Sequence, residues 1–174
     1  MKKLINYFLA AVLLLSASCE DDNIFKQLVD PPVKVLPPAT QIGANTFGCK
    51  VNGKVWLPNE TAWVEFVNGG LDIVARNRQK GFLGIGLHIG RFVISSKGTF
   101  SIASSTPYFS QASYIENNNA FTTDDINTGS ITITRLDTNQ LHYIVSGTFS
   151  FKARHESSGE IIEITEGRFD LRKY

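Results

Sequence analysis

The sequence predicts an all-β protein with a single antiparallel β-sandwich or barrel-like domain of about 8 to 10 strands. Three observations predict this fold class. Apolar and polar residues alternate with a period of two in most windows beyond residue 40, and turn-forming residues separate these windows. No window in that region carries an apolar stripe with the helical period of 3.6 residues.

The predicted strands follow one another with turn signals between them. The first, residues 46–51, ends at Asn52-Gly53, a pair that favours a two-residue hairpin turn. Further turn residues lie at 68–70, 137–139 and 157–159. The longest alternation reads YIVSGTFSFKA and places on one face Tyr143, Val145, Gly147, Phe149, Phe151 and Ala153. The other predicted strands are residues 62–67, 71–76, 82–89, 130–136, 160–165 and 168–172.

The chain divides into three predicted parts, which are residues 1–18, 19–40 and 41–174. Lys2 and Lys3 precede an apolar run that is too short for a bilayer-spanning helix of about 20 residues, which is the pattern of a secretory signal. Small residues then lead to Cys19. This segment resembles a bacterial lipoprotein signal. The resemblance implies that the chain is cut before Cys19, that Cys19 is lipidated and that its amino group is acylated.

Three acids, Glu20, Asp21 and Asp22, follow Cys19 directly. They resemble the surface-export signal of Bacteroidota lipoproteins, and the alternative is that they form the solvated start of a tether. In both cases we expect a lipid anchor in the outer membrane, with the domain at the cell surface or on the periplasmic face. Two or three acyl chains would make the attachment firm, because each buried CH₂ group contributes about 0.8 kcal/mol.

The segment after the acids has the composition of a spacer. It holds four of the six prolines of the chain, in pairs at positions 31–32 and 37–38. Proline fixes φ and favours extended geometry at the preceding residue, so this segment predicts a semi-rigid tether. At about 3.1 Å per residue, the stretch from Cys19 to Thr40 would span roughly 60 to 70 Å.

Charge and cysteine content exclude two classes of protein. Removal of residues 1–18 takes away Lys2 and Lys3, so the formal net charge changes from +1 to −1. A nearly neutral chain lacks the basic footprint of nucleic-acid binding. With Cys19 lipidated, Cys49 has no cysteine partner, and no internal disulfide is expected. Its place in an alternating stretch predicts that Cys49 is buried as a small apolar residue.

Two blocks of the domain resemble an uncharacterised family of Bacteroidota lipoproteins. The first reads NTFGCKVNGKVWLP and opens the domain with a hairpin. The second reads GTFSFKARHESSGEIIEITEGRFDLRKY and contains a closing Gly-Arg-Phe-Asp strand. The resemblance implies the all-β fold and the envelope location, and it implies no activity.

A glycine-rich stretch, GFLGIGLHIG, carries Gly84, Gly86 and Gly90 on one face of a predicted strand, together with Phe82 and His88. The glycine spacing misses the dinucleotide-binding fingerprint by one residue, and no helix follows it. Glycine weakens a strand interior, so we expect something bulky to approach this face. It is either a neighbouring side chain or a ligand in a groove.

A second candidate region combines aromatic side chains with three consecutive asparagines at 117–119. Aromatic rings beside amides are typical of surfaces that bind sugars and peptides. The alternative is that these rings pack beneath a long hairpin. The candidate groove for a glycan, peptide or envelope-protein partner therefore comprises Phe82, Gly84, Gly86, His88, Tyr108, Phe109 and Tyr114.

Catalytic and metal-binding patterns are not found in the sequence. The three histidines lie too far apart for a local chelate. Asp124, Asp125 and Asn127 lack the spacing of a calcium loop, which favours a solvated turn. We expect no cofactor and no metal. The sequence favours a non-enzymatic binding or assembly accessory of the cell envelope, and the alternative is an envelope hydrolase or lyase with a dispersed active site.

Overall fold

The computed structural model describes residues 33–60, 62–67, 70–77, 83–89, 96–104, 110–139 and 142–173. Within these ranges, no helix has the length and apolar character needed to cross a membrane. A compact unit spans Lys34–Tyr174. Seven of the predicted site residues lie outside the described residues, namely Cys19, Glu20, Asp21, Asp22, Phe82, Tyr108 and Phe109.

The described residues form eleven strands and no helix, which confirms the all-β prediction. Four of these strands, β2, β6, β7 and β8, lie outside the predicted strand ranges, and β2 and β8 are too short, at three and four residues, to show an alternating pattern. The strands are β1 (Thr46–Val51), β2 (Lys54–Trp56), β3 (Trp63–Val67), β4 (Gly70–Asn77), β5 (Leu83–Ile89), β6 (Gly98–Ile102), β7 (Gln111–Glu116), β8 (Asn119–Thr122), β9 (Gly129–Asn139), β10 (His142–His155) and β11 (Ile161–Lys173).

Two predicted strands, residues 160–165 and 168–172, are a single strand, β11, with a bulge between them. Phe149 pairs with Gly167, but Phe151, two residues later, pairs with Ile164, so β11 carries one extra residue at this point. Glu166 lies in the bulge with a φ of 50°. A bulge bends a strand without ending it, which explains why the alternation is interrupted while the pairing continues.

All pairings among the eleven strands are antiparallel, and the sheet that they form is not closed. Its main path runs β2-β1-β11-β10-β8-β7-β5-β4-β3. Strand β10 branches, because residues up to Phe151 pair with β9 whereas Arg154 and His155 pair with β8, and β6 extends the β9 branch. This branch allows the sheet to fold over into a sandwich rather than a barrel.

The core lies between the two halves of the folded sheet and contains the predicted apolar faces. Phe47 and Phe149 lie 5.3 Å apart between ring centroids, and both are buried. Ile73 and Ile85 are at most 1% exposed. Cys49 is also buried, and desolvation raises the pKa of its thiol to about 12. The interpretation of Cys49 as a buried apolar residue agrees with this position.

A segment that precedes β1, residues 36–44, packs along the sheet and is called the strap here. The carboxylate of Asp170, which is 0% exposed, accepts hydrogen bonds from three backbone N–H groups of the strap and from two hydroxyls. The N–H donors belong to Ile42, Gly43 and Ala44, at 3.0, 2.8 and 3.0 Å, and the hydroxyls to Thr40 and Ser146, both at 2.6 Å.

Arginines of the sheet bind the strap at further points. Arg168 donates to the carbonyl of Pro37 at 3.4 Å, and Arg172 donates to the carbonyl of Ile42 at 2.5 Å. Gly48 leaves room for the strap, because a Cβ atom there would come within 2.8 Å of Pro37. The part of the predicted tether around Pro37 and Thr40 is therefore in contact with the domain.

Candidate binding site

A polar groove lies on the outer face of strands β9, β10 and β11. It consists of two adjoining depressions with volumes of about 370 and 380 Å³, which share Ser130 and Ser150. Further hydroxyls in its lining belong to Thr128, Thr132, Thr148 and Thr165, and we call it the hydroxyl groove. Ala39 of the strap borders one depression, and Ile126, which is 90% exposed, borders the other.

The hydroxyls stand in two cross-strand rows. In the first row, Thr148 of β10 pairs with Thr132 of β9, which pairs with Thr99 of β6. In the second row, the paired residues are Ser150, Ser130 and Ser101. Directly opposed residues on antiparallel strands project from the same face, so the six hydroxyls share one surface.

Alternation within the strands explains why this surface is polar. Ile131 and Phe149, which alternate with the hydroxyl residues, are buried in the core. A strand directs successive side chains to opposite faces, so burial of the apolar set exposes the hydroxyl set. Thr99 and Thr132 form a hydrogen bond of 2.9 Å between their hydroxyls, and the surface is therefore partly ordered without a ligand.

Charged side chains border the hydroxyl groove as opposite pairs. In the β11 bulge, the Glu166 carboxylate lies 2.5 Å from the Lys50 ammonium and 3.7 Å from Arg168. At the other end, Lys152 lies 3.7 Å from Glu163. A non-glycine residue with positive φ, such as Glu166, is uncommon, and bulges are frequent beside functional sites. The borders contain charges of both signs.

A tight turn between β8 and β9 holds the end of the groove near Ile126. The Asp124 carboxylate accepts hydrogen bonds from the backbone N–H groups of Asn127 and Ile126, at 2.6 and 2.9 Å, and from Arg154 Nε at 2.9 Å. The N–H bond from Asn127 and the bond from Arg154 hold the Asp124 pKa below its usual range. These contacts agree with the turn interpretation of Asp124, Asp125 and Asn127.

Gly84 of β5 lies against strand β4. A Cβ atom at Gly84 would meet the Arg76 side chain at 3.8 Å and the Ala75 carbonyl oxygen at 3.3 Å. The Arg76 guanidinium in turn lies 4.7 Å from the centre of the Trp63 ring. A side chain at Gly84 would therefore make one tight contact with the backbone and one ordinary contact with a side chain of β4, and the choice between packing and a ligand groove stays a prediction.

The structure corrects the candidate groove predicted from sequence at Tyr114. Tyr114 is 3% exposed and pairs with Ile85, on the core face of the sheet. Gly86 and His88 pair with Ser113 and Gln111, at the alternate positions of β7. Residues one apart on a strand project from opposite faces, so Tyr114 cannot share a groove with this glycine face.

The hydroxyl groove was missed by sequence reasoning. Ser130 and Ser150 alternate with apolar residues in their own strands, and this alternation predicts the strands but no binding surface. Their alignment across strands depends on the register between β9 and β10, which one sequence does not show. Among the described residues, no group of three or more His, Cys, Asp or Glu side chains could hold a metal ion.

Comparison with known proteins identifies a family for most of the chain. No curated protein and no solved structure matches the chain. A family model described as a domain of unknown function, DUF6252, matches residues 44–170. The expectation of an uncharacterised domain is confirmed by this match, whereas the lipoprotein character and the Bacteroidota origin stay predictions. The match spans β1 to most of β11 and includes every strand of the groove, so the chain belongs to the DUF6252 family.

Proposed function

We propose that this protein is a non-enzymatic binding module tethered to the outer membrane, and that the hydroxyl groove binds a neutral, hydroxyl-rich ligand of the carbohydrate class. The observation that carries the proposal is the pair of cross-strand hydroxyl rows. Each Ser or Thr hydroxyl can donate one hydrogen bond and accept others. Such a surface complements sugar hydroxyls, which have the same capacity.

The charges and flanks of the groove support a neutral ligand. Glu166 is compensated by Lys50 and Arg168, and Lys152 is compensated by Glu163. A polyanion would gain little from borders whose cations already have carboxylate partners. Ile126 adds an exposed apolar side chain at one end, against which the C–H face of a sugar ring can pack.

We expect the double variant Thr148→Val, Ser150→Ala to weaken binding of a soluble neutral polysaccharide at least tenfold. The change removes one hydroxyl from each row of an exposed face, where valine is favoured in strands and alanine is smaller than the serine that it replaces. Affinity electrophoresis of the full chain in gels that contain dextran, a β-glucan or a mannan measures retardation. The matched control is Thr138→Val, an exposed threonine on β9 outside the groove lining.

Two outcomes would contradict the groove proposal. One is equal retardation of the double variant and the parent by every neutral polysaccharide that retards the parent. The other is retardation of the parent by a polyanion such as polygalacturonate, with no retardation by any of the three neutral polymers. Thermal unfolding of both variants, measured in parallel, separates a binding effect from loss of the fold.

The tether part of the proposal is supported by the amino-terminal sequence pattern. We expect Cys19→Ala to abolish incorporation of a fatty-acid analogue and membrane partitioning, because Cys19 would carry the lipid. Equal fatty-acid labelling of Cys19→Ala and the parent would rule out the anchor.

The acidic cluster has a test of its own. If the acids direct export, their joint replacement by Ala should reduce the accessibility of the domain to protease in intact cells; the three residues are Glu20, Asp21 and Asp22.

A further inference from the structure

The outer face of the sheet is covered directly beside one end of the hydroxyl groove. Ser146 of β10 and Asp170 of β11 are paired residues. Their neighbours Val145 and Phe169 lie in the core, so alternation places Ser146 and Asp170 on the outer face. Both are nevertheless fully buried. Thr148, the next outer-face residue of β10, is exposed and lines the groove.

The strap provides this cover. Its residues donate four of the five hydrogen bonds that the Asp170 carboxylate accepts from described residues. On the other side of β10, Arg135 of β9 is paired with Ser146 and donates to the carbonyl of Gln41 in the strap. A segment that is bonded to the strands on both sides of β10 passes over Ser146 between them. The strap therefore crosses the outer face from β11 to β9.

The same segment forms the wall at this end of the groove. Ala39 of the strap lines the depression that contains Thr148. Arg168 lines it too, and its half-buried guanidinium donates to the carbonyl of Pro37 at 3.4 Å. A ligand that lies along β10 cannot continue past Thr148 unless the strap moves away.

The opposite end of the groove is open to solvent. Its border residues Lys152 and Glu163 have side chains that are 59% and 55% exposed, and Ile126 is more exposed still. The two depressions adjoin along β10 from Thr148 to Lys152. This stretch spans about 13 Å, because a strand rises roughly 3.3 Å per residue. An extended ligand can therefore enter at Lys152 and run along β10 toward the strap.

We propose that the hydroxyl groove binds the end of a neutral carbohydrate chain, with the strap as the wall at which the chain stops. The inference rests on the proposed function of the groove and adds which part of the polymer is bound. An interior segment continues in both directions, but the strap leaves only one exit. A terminal unit carries a hydroxyl where the chain would otherwise continue, and Thr132 and Thr148 supply hydrogen-bonding partners at that end.

Affinity electrophoresis of the full chain distinguishes chain ends from interior segments. Dextran, a β-glucan and a mannan are each used as two fractions that are immobile in the gel. The fractions differ about tenfold in the number of chain ends per unit mass, counted by end-group analysis. Because end binding depends on the concentration of ends, we expect the fraction richer in ends to halve the mobility at about a tenth of the mass concentration. Interior binding predicts equal mass concentrations.

Variants of the strap test whether it is the wall. Asp170→Asn loosens the strap, so we expect the two mass concentrations to become more similar. Thr40→Val, which removes one hydrogen bond to Asp170, is a milder change for the case that Asp170→Asn does not fold. Thr138→Val, outside the groove lining, is the matched control and should keep the ratio of the parent. Thermal unfolding shows which variants are folded.

Three results would overturn the inference. Equal mass concentrations for the two fractions with the parent would exclude end recognition and leave the proposed function of the groove in place. An unchanged ratio in every folded strap variant would show that the strap is not the wall. No retardation of the parent by any fraction of the three polymers would overturn both end recognition and the proposed function.

Discussion

Replacing Asp170 with Asn is expected to lower the free energy of unfolding by about 3 kcal/mol, or roughly 10 °C in Tm for a domain of this size. Every one of the five groups that bond to this carboxylate is a donor in that contact. Each oxygen receives at least one backbone N–H, from Gly43 on Oδ1 and from Ile42 and Ala44 on Oδ2. Either orientation of an amide therefore sets its NH₂ group against a backbone donor.

The pH dependence gives a second measurement of the same contact. Burial opposes ionisation of Asp170, but the hydrogen bonds from Ser146, Thr40 and the strap N–H groups outweigh it and hold the pKa below its ordinary value. A carboxyl group whose pKa is lowered by folding stabilises the fold at pH values above its pKa in the unfolded chain, which is about 4 for Asp. This stabilisation is lost as the pH falls from that value toward the pKa in the folded state. The stability gap between the parent and Asp170→Asn should therefore shrink below about pH 4.

Asp125→Asn is the matched control, because Asp125 is an exposed acid in a turn. We expect it to change the free energy of unfolding by no more than about 0.5 kcal/mol. Denaturant unfolding at neutral pH and at low pH measures the free energy of unfolding of the parent, Asp170→Asn and Asp125→Asn. A gap between the parent and Asp170→Asn that stays constant down to low pH would show that the carboxylate charge is not what holds the strap.

Gly147→Ala is expected to destabilise the protein by about 3 kcal/mol, at the upper end of the usual cost of overpacking. A Cβ atom at Gly147 would lie 2.2 Å from the Thr132 carbonyl oxygen and 2.7 Å from the Phe169 ring. The carbonyl belongs to the neighbouring strand β9, so relief of the clash requires the two strands to separate. Thermal unfolding monitored by circular dichroism measures the effect.

Gly98→Ala provides the control for this substitution in the same part of the sheet. A Cβ atom at Gly98 would lie 3.6 Å from the Phe100 ring, which is an ordinary contact. We expect a change within about 0.5 kcal/mol, as for most surface substitutions. If Gly147→Ala were as stable as Gly98→Ala, the close approach of β9 and β10 described above would be wrong.

The sequence predicts best the strands in which turn residues bound a clear alternation. Strand β1 was predicted with its observed bounds, and the 143–153 alternation lies within β10. Strand β11 was predicted as two pieces, because Glu166 takes a left-handed φ that glycine or asparagine would have signalled. Strand β8 was not predicted, since four residues hold too few alternations for a pattern.

The contacts of the strap with the domain could not be predicted from the sequence. Its prolines indicated an extended spacer, which is a local property of the chain. Its docking depends on Asp170, which is 130 residues from Thr40 in sequence, and on Arg168, whose partner Pro37 is 131 residues away. Neither partner is identifiable from the local composition of the segment, because any extended strand with a free carbonyl or N–H could serve.

By itself, the sequence determined the all-β class, the core faces of the long strands and the burial of Cys49, because side-chain alternation and turn residues are local and repeat with a short period. The tertiary structure alone decided which residues of neighbouring strands lie side by side on the same face of the sheet. It aligned Ser150 with Ser130 through the β9–β10 register and placed Tyr114 on the core face. Register and long-range packing arise from contacts between distant residues, and no local pattern encodes them.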